Sequence, residues 1–238
     1  MIYCVIPTRG DRSELLEALV GNAAESPQRA IIIATAPDIK TPANTLRIED
    51  FGPRNIQRWW NQGIDLAFEL GATSIAVLND DVHISRESLQ EMSRLLHETD
   101  TTLATPGSEF ALFRNSTPQM RRLCGFAWML NPTHGLRPDE TFHWYFGDDA
   151  LEIRARREFR GLVTVPVAFK HIYPGHSTVG SPDLMKQIKR DEALFRRKYP
   201  LDYAWRKAIE RTQGRTGKSI SATMKRVRTG IRRCRRSH

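Results

Sequence analysis

The chain has 238 residues, 40% of them apolar and 26% charged, the balance of a soluble globular protein with room for one sizeable domain. No apolar run approaches the roughly 20 residues that a membrane helix needs, and three well-separated cysteines (Cys4, Cys124, Cys234) fit neither a disulfide framework nor zinc-ligand or redox spacing. The net charge of +9 is uneven: residues 203–238 hold twelve Lys and Arg against Glu210 alone, while the rest carries 24 bases and 26 acids.

In chain order, Ile2 to Ile6 reads as a buried strand that runs into the turn Pro7-Thr8-Arg9-Gly10-Asp11, and not as a secretory leader. Cys4 and Cys124 lie in apolar runs and are expected as small buried hydrophobes, which fits a reducing cytoplasm. Ser13 to Glu25 carries Leu15, Leu16, Leu19 and Val20 at helical spacing. Ala30 to Ala34 is a second strand and Leu46 to Ile48 a third. Asn55 to Leu70 is a helix with a broad apolar face containing Trp59, Trp60 and Ile64, stopped at Gly71. Ser74 to Leu78 is a fourth strand, followed directly by Asn79-Asp80-Asp81; Ser85 then caps a helix carrying Leu89, Met92, Leu95 and Leu96. Strands alternating with helices predict an α/β fold, a mainly parallel sheet covered on both faces. Further on, 124–130 and 162–169 read as strands, and 150–159 and 183–199 as helices. The basic end reads as a helix to about Arg211 and then a mobile tail, giving a domain over 1–202 and an appendage over 203–238.

In open parallel sheets ligands bind beyond the carboxyl ends of the strands, where strand order reverses, and Asn79-Asp80-Asp81 lies at such an end. Adjacent carboxylates repel. A divalent cation bridging to a diphosphate would offset that repulsion, since Mg²⁺ and Mn²⁺ favour oxygen ligands and substrate phosphates. A solvated turn that caps the following helix is the other reading of the same residues.

Five segments together carry a resemblance: VIPTRGDR, NQGIDLAFELGATSIAVLNDDV, CGFAWML, FGDDALEIRAR and HIYPGHS. In this order, across about residues 1–180, they resemble the family 2 glycosyltransferases. The resemblance implies a GT-A-type, Rossmann-like nucleotide-binding domain. It implies an enzyme that moves a sugar from a nucleoside diphosphate sugar to a hydroxyl acceptor with inversion, assisted by Mn²⁺ or Mg²⁺. It assigns Thr8, Arg9, Arg54, Asn61 and Asp80 to the donor, Asp81 and His171 to the metal, and Gly125, Trp128 and Trp144 to the acceptor. In the acidic pair Asp148-Asp149 it makes Asp149 the base and Asp148 an acceptor contact or helix cap. His176 competes with His171. The chain departs from the family pattern at Asn79 and at Leu151, where an acid is usual.

Gly214-Arg-Thr-Gly-Lys218-Ser219 is not a phosphate-binding P-loop, because Thr212 stands where that loop needs its first glycine. The basic end admits three readings: a solvated tail, attraction to anionic lipid headgroups at a membrane face, or non-specific contact with nucleic acid. The rival function is a sugar-nucleotide-fold binding protein that lacks turnover and docks through this tail. A nucleotidyltransferase is a third.

Overall fold

The computed structural model describes residues 1–115, 117, 123–173 and 182–211. They fall into two compact units, one running from Met1 to Phe195 and one beginning at Arg196. The first holds an eight-stranded sheet. Strands β1 (Ile2–Thr8), β2 (Ala30–Ala34), β3 (Leu46–Glu49) and β4 (Ser74–Leu78) form its parallel half, with β1 between β2 and β4. Strands β6 (Leu103–Gly107), β7 (Ala111–Phe113), β8 (Ala127–Leu130) and β9 (Leu162–Pro166) complete the order β3-β2-β1-β4-β8-β6-β9-β7. Strand β8 runs antiparallel to both its neighbours, β4 and β6, and β7 runs antiparallel to β9. Strands β5 (Val82–Ile84) and β10 (Phe169–His171) pair antiparallel in a separate small sheet.

The alternation of side chains along β1, β2 and β4 divides the core into two layers. Cys4, Ile6, Ile32, Ala76 and Leu78 face helices α1 (Ser13–Ala23) and α3 (Arg86–Glu98). Tyr3, Val5, Ile31, Ile33, Ile75 and Val77 face α2 (Ile56–Glu69) and α4 (Gly147–Glu158). Helices therefore cover both faces, as the alternating pattern predicts. Helix α2 lies especially close to the sheet. A Cβ at its Gly63 would sit 2.3 Å from Val5 Cγ1, so this glycine, third in the NQGIDLAFELGATSIAVLNDDV segment, serves helix–sheet packing.

Helix α5 (Pro182–Lys198) matches the expectation over 183–199, and 200–211 is helical again. The anticipated tail beyond Arg211, the glycine-rich Lys218 segment and Cys234 lie outside the described residues. Among those described, no helix is long and apolar enough to cross a membrane. Two expectations need correction. The strand read over 162–169 is two strands in different sheets, with the chain turning after Pro166. Strands β5, β6 and β7 are additional; two have three residues, and β6 carries a proline, which argues against a strand in a sequence reading.

Candidate active site at the strand-order switch

Connections leave β1 toward β2 and β3 on one side, while β4 adds on the other, so strand order reverses between β1 and β4. This is the crevice where an open α/β sheet binds ligands. The two strand ends are joined there by a hydrogen bond: Thr8 Oγ1 donates to Asp80 Oδ2 at 2.7 Å. Arg12, at the start of α1, reaches both acids with one guanidinium nitrogen, 3.2 Å from Asp80 Oδ1 and 2.6 Å from Asp81 Oδ2. The small sheet brings in a fifth group. Its register sets His171 opposite Val82, and His171 Nε2 lies 3.1 Å from Asp81 Oδ1. The imidazole is stacked on Phe126, with ring centroids 4.3 Å apart.

Both acids are buried. Burial pushes the Asp80 carboxyl above the usual carboxylate range; the Thr8 hydroxyl and Arg12 pull it back, and neighbouring Asp81 and Asp11 add to the rise.

These groups open onto a cavity of about 260 Å³. Pro7, Thr8, Arg9, Arg12, the Asn79–Asp81 turn, Gln57, Trp59, Trp60, Gly125, Trp144, Tyr145 and Asp148 line it. Asp148 sits beside Gly125, where an added Cβ would fall 2.1 Å from its Oδ2, so the missing side chain at 125 is the space that carboxylate occupies. Trp144 and Tyr145 belong to a loop fixed by buried Asp191 of α5. The Asp191 carboxylate accepts backbone N–H groups from His143, Trp144 and Tyr145 at 3.3, 2.9 and 2.9 Å. The loop ends at Phe146, whose backbone is left-handed (φ 62°) and whose ring stacks on Phe195. Helix α4 starts immediately after it.

Thr8, Arg9, Asp80, Asp81, Gly125, Trp144, Asp148 and His171, all singled out in the sequence, thus surround one cavity. Four other residues singled out there do not line it. Arg54 is exposed ahead of α2. Asn61 donates its amide to Pro138 O and Glu140 Oε1, tying α2 to the 136–142 segment. Trp128 is wholly buried and packs edge-on against Trp60, so it is a core residue. Asp149 is buried within the first turn of α4, and its neighbour Asp148 faces the cavity instead. His176 lies outside the described residues. Arg12, Gln57 and Asp191 went unnoticed in the sequence: an Arg beside a turn, a Gln in a helix and an acid in the charged run of α5 each look like solvated residues.

Whether a divalent ion suits the site can be judged from the donors present. Asp81 Oδ1 and His171 Nε2 are near enough to bind one cation together. Among the described residues no group of three His, Cys, Asp or Glu is able to hold a metal. These two donors fit a divalent ion only where substrate phosphates and water would supply its remaining ligands.

No family model matches the chain, and no curated protein matches it in sequence. Solved structures do match in fold. S. aureus TarS 1–349 in complex with UDP superposes at TM-score 0.52 and 10% identity, over 80% of this chain and 65% of that one. The same fragment with UDP-GlcNAc gives 0.51 and 11%, over 82% and 66%. S. aureus TarS itself gives 0.52 and 8%, over 82% and 39%. The fold is of the GT-A type. This chain spans less than two thirds of the length of these neighbours, and at such identities the likeness is one of fold.

Proposed function

We propose that the protein is a glycosyltransferase that moves a sugar from a nucleoside diphosphate sugar to a hydroxyl acceptor with inversion. The observation that carries this reading is the meeting of two carboxylate sets in one cavity at the strand-order switch: Asp80 and Asp81 with Thr8, Arg12 and His171, and Asp148 beside Gly125. The first set suits a diphosphate. Arg9 and Arg12 supply guanidinium groups that pair with phosphate oxygens, and Thr8 and Asp80 stand where the ribose would enter. Asp81 and His171 would hold Mn²⁺ or Mg²⁺, which would offset charge on the departing diphosphate.

The second set suits the acceptor. Asp148, rather than the adjacent Asp149, takes the role of base because it is the one at the cavity. As the acceptor oxygen forms its bond to the anomeric carbon and the bond to the diphosphate breaks, Asp148 removes the hydroxyl proton. Trp144 and Tyr145 offer apolar ring faces with polar edges, which match the C–H surface and hydroxyl rim of a sugar. Gln57 Oε1 and the indole N–H groups of Trp59 and Trp60 are buried and find no hydrogen-bond partner among the described residues, and all three residues line this cavity. Such groups favour a hydroxyl-rich ligand, since leaving each unpaired costs about 1–3 kcal/mol.

Because the fold neighbours were solved with UDP and UDP-GlcNAc, uridine donors are tested first. Thermal shift with UDP-, GDP- and dTDP-sugars, with and without Mn²⁺, should show one nucleotide class stabilising the protein. Asp148→Asn should retain that shift and lose release of nucleoside diphosphate by about 10²-fold or more. Full turnover in Asp148→Asn with none in Asp149→Asn would return the base to Asp149. A folded sample that no nucleotide stabilises would remove the transferase reading.

A further inference from the structure

All four oxygens of the Asp80–Asp81 pair already have a partner within the protein. Asp80 Oδ2 accepts from Thr8, and Asp80 Oδ1 meets Arg12. Asp81 Oδ2 meets Arg12, and Asp81 Oδ1 meets His171. Arg12 is thus the charge that balances the pair, from a side chain only 15% exposed. We propose that Arg12 is the resident counterion of this pair and releases it to a divalent cation when a nucleoside diphosphate is bound, so that cation and nucleotide bind interdependently. The proposal rests on the donor site described above.

Two carboxylates and one guanidinium sum to a single negative charge. A dication added without nucleotide would leave a surplus positive charge beside Arg12 in a buried crevice, where like charges are poorly screened. Among the described residues it would also find only two protein donors, Asp81 Oδ1 and His171 Nε2. A diphosphate changes both conditions. It supplies further oxygen ligands, and it gives Arg12 an anion whose geometry a guanidinium fork matches better than a single nitrogen shared between two acids. Arg12 lines the same cavity and lies under the ring of Tyr173, 5.5 Å from its centroid, so it need only turn within the crevice to meet a phosphate. Linkage is reciprocal: whatever factor nucleotide adds to cation affinity, cation adds to nucleotide affinity.

The test is a Mn²⁺ titration of the full chain, reading free Mn²⁺ by electron paramagnetic resonance, with and without saturating UDP. The wild type should bind Mn²⁺ at least about fivefold more tightly with UDP. Arg12→Gln, which leaves buried carboxylates without their counterion, should bind Mn²⁺ without UDP at least about fivefold more tightly than the wild type. Its gain from UDP should be correspondingly smaller. Arg12→Lys keeps the charge without the guanidinium fork and should match the wild type in nucleotide-free Mn²⁺ affinity; it also stands in for the glutamine variant if circular dichroism shows that variant unfolded, and there a Mn²⁺ affinity unaffected by UDP overturns the proposal. Equal nucleotide-free Mn²⁺ affinity in the wild type and folded Arg12→Gln overturns the counterion role. If no nucleotide binds the wild type under any condition, the donor-site reading fails, and the nucleotide-free comparison still decides whether Arg12 stands in for a cation.

Discussion

Gly125 and Asp148 compete for one volume. With any side chain at 125 the Asp148 carboxylate must move, because even a methyl carbon would lie 2.1 Å from Oδ2. Gly125→Ala should therefore lower nucleoside diphosphate release at least about tenfold, against the 10²–10⁴ expected for complete loss of a base, while the thermal shift given by UDP stays unchanged. Loss of both signals together would place Gly125 in the fold and not in the acceptor half. Residues of this kind show how far sequence reaches. Asp80 and Asp81 stand out because two acids follow an apolar strand, and His171 because it follows another; their mutual distance was beyond sequence reasoning, since it depends on the short pairing of β5 with β10. Arg12 gave no signal, because an arginine looks the same in sequence whether its partner is water or a buried acid 69 residues away.

At the scale of elements, α5 braces the 143–145 loop, which lines the cavity through Trp144 and Tyr145. Asp191 gathers three backbone N–H groups of the 143–145 loop and also accepts from Gln187 Nε2 at 2.7 Å, while Phe195 packs on Phe142 and on left-handed Phe146. Asp191→Asn places an amide N–H₂ among groups that are themselves donors. The expected result is a raised acceptor KM with an unaltered UDP thermal shift, and a loss of stability of about 1–3 kcal/mol in urea unfolding, the range for a charged hydrogen-bond network. An unchanged KM would confine Asp191 to stability. The helices were readable from apolar spacing and caps: Asn55 caps α2 through Gln57 N and Arg58 N, and Ser85 caps α3 through Ser88 N. The short strands were not. Three residues contain too little alternation to set a period, and what forms β5, β7 and β10 is a neighbour distant in the chain.

Across the molecule, the parallel half of the sheet is fastened to α2 through Asp50, just beyond β3. Burial acts to raise the Asp50 carboxyl, but the two-nitrogen grip of Arg58, the Gly52 N–H and the Gln62 amide outweigh it and hold it below the usual range. A depressed native value means that the unfolded chain binds more protons, so this stabilisation is complete above the ordinary aspartate value and is lost as pH falls through the native one. The gap in Tm between the wild type and Asp50→Asn should be widest above about pH 5 and should close below about pH 4; a gap independent of pH would mean that charge contributes nothing there. The two-faced α/β architecture was legible because β1, β2 and β4 are apolar runs rich in Ile and Val, set off by the helical periods of α1, α2 and α3. The second half was less so, because its strand order follows no rule of succession. Strand β8 has a consequence for how the protein is made. It fills the gap between β4 and β6, yet is synthesised after both. Until residues 127–130 leave the ribosome, two apolar strands stand with open edges that any other chain can template. Lesions in Ala127–Leu130 should therefore reach the cell as lost soluble yield during translation before they register as weakened catalysis.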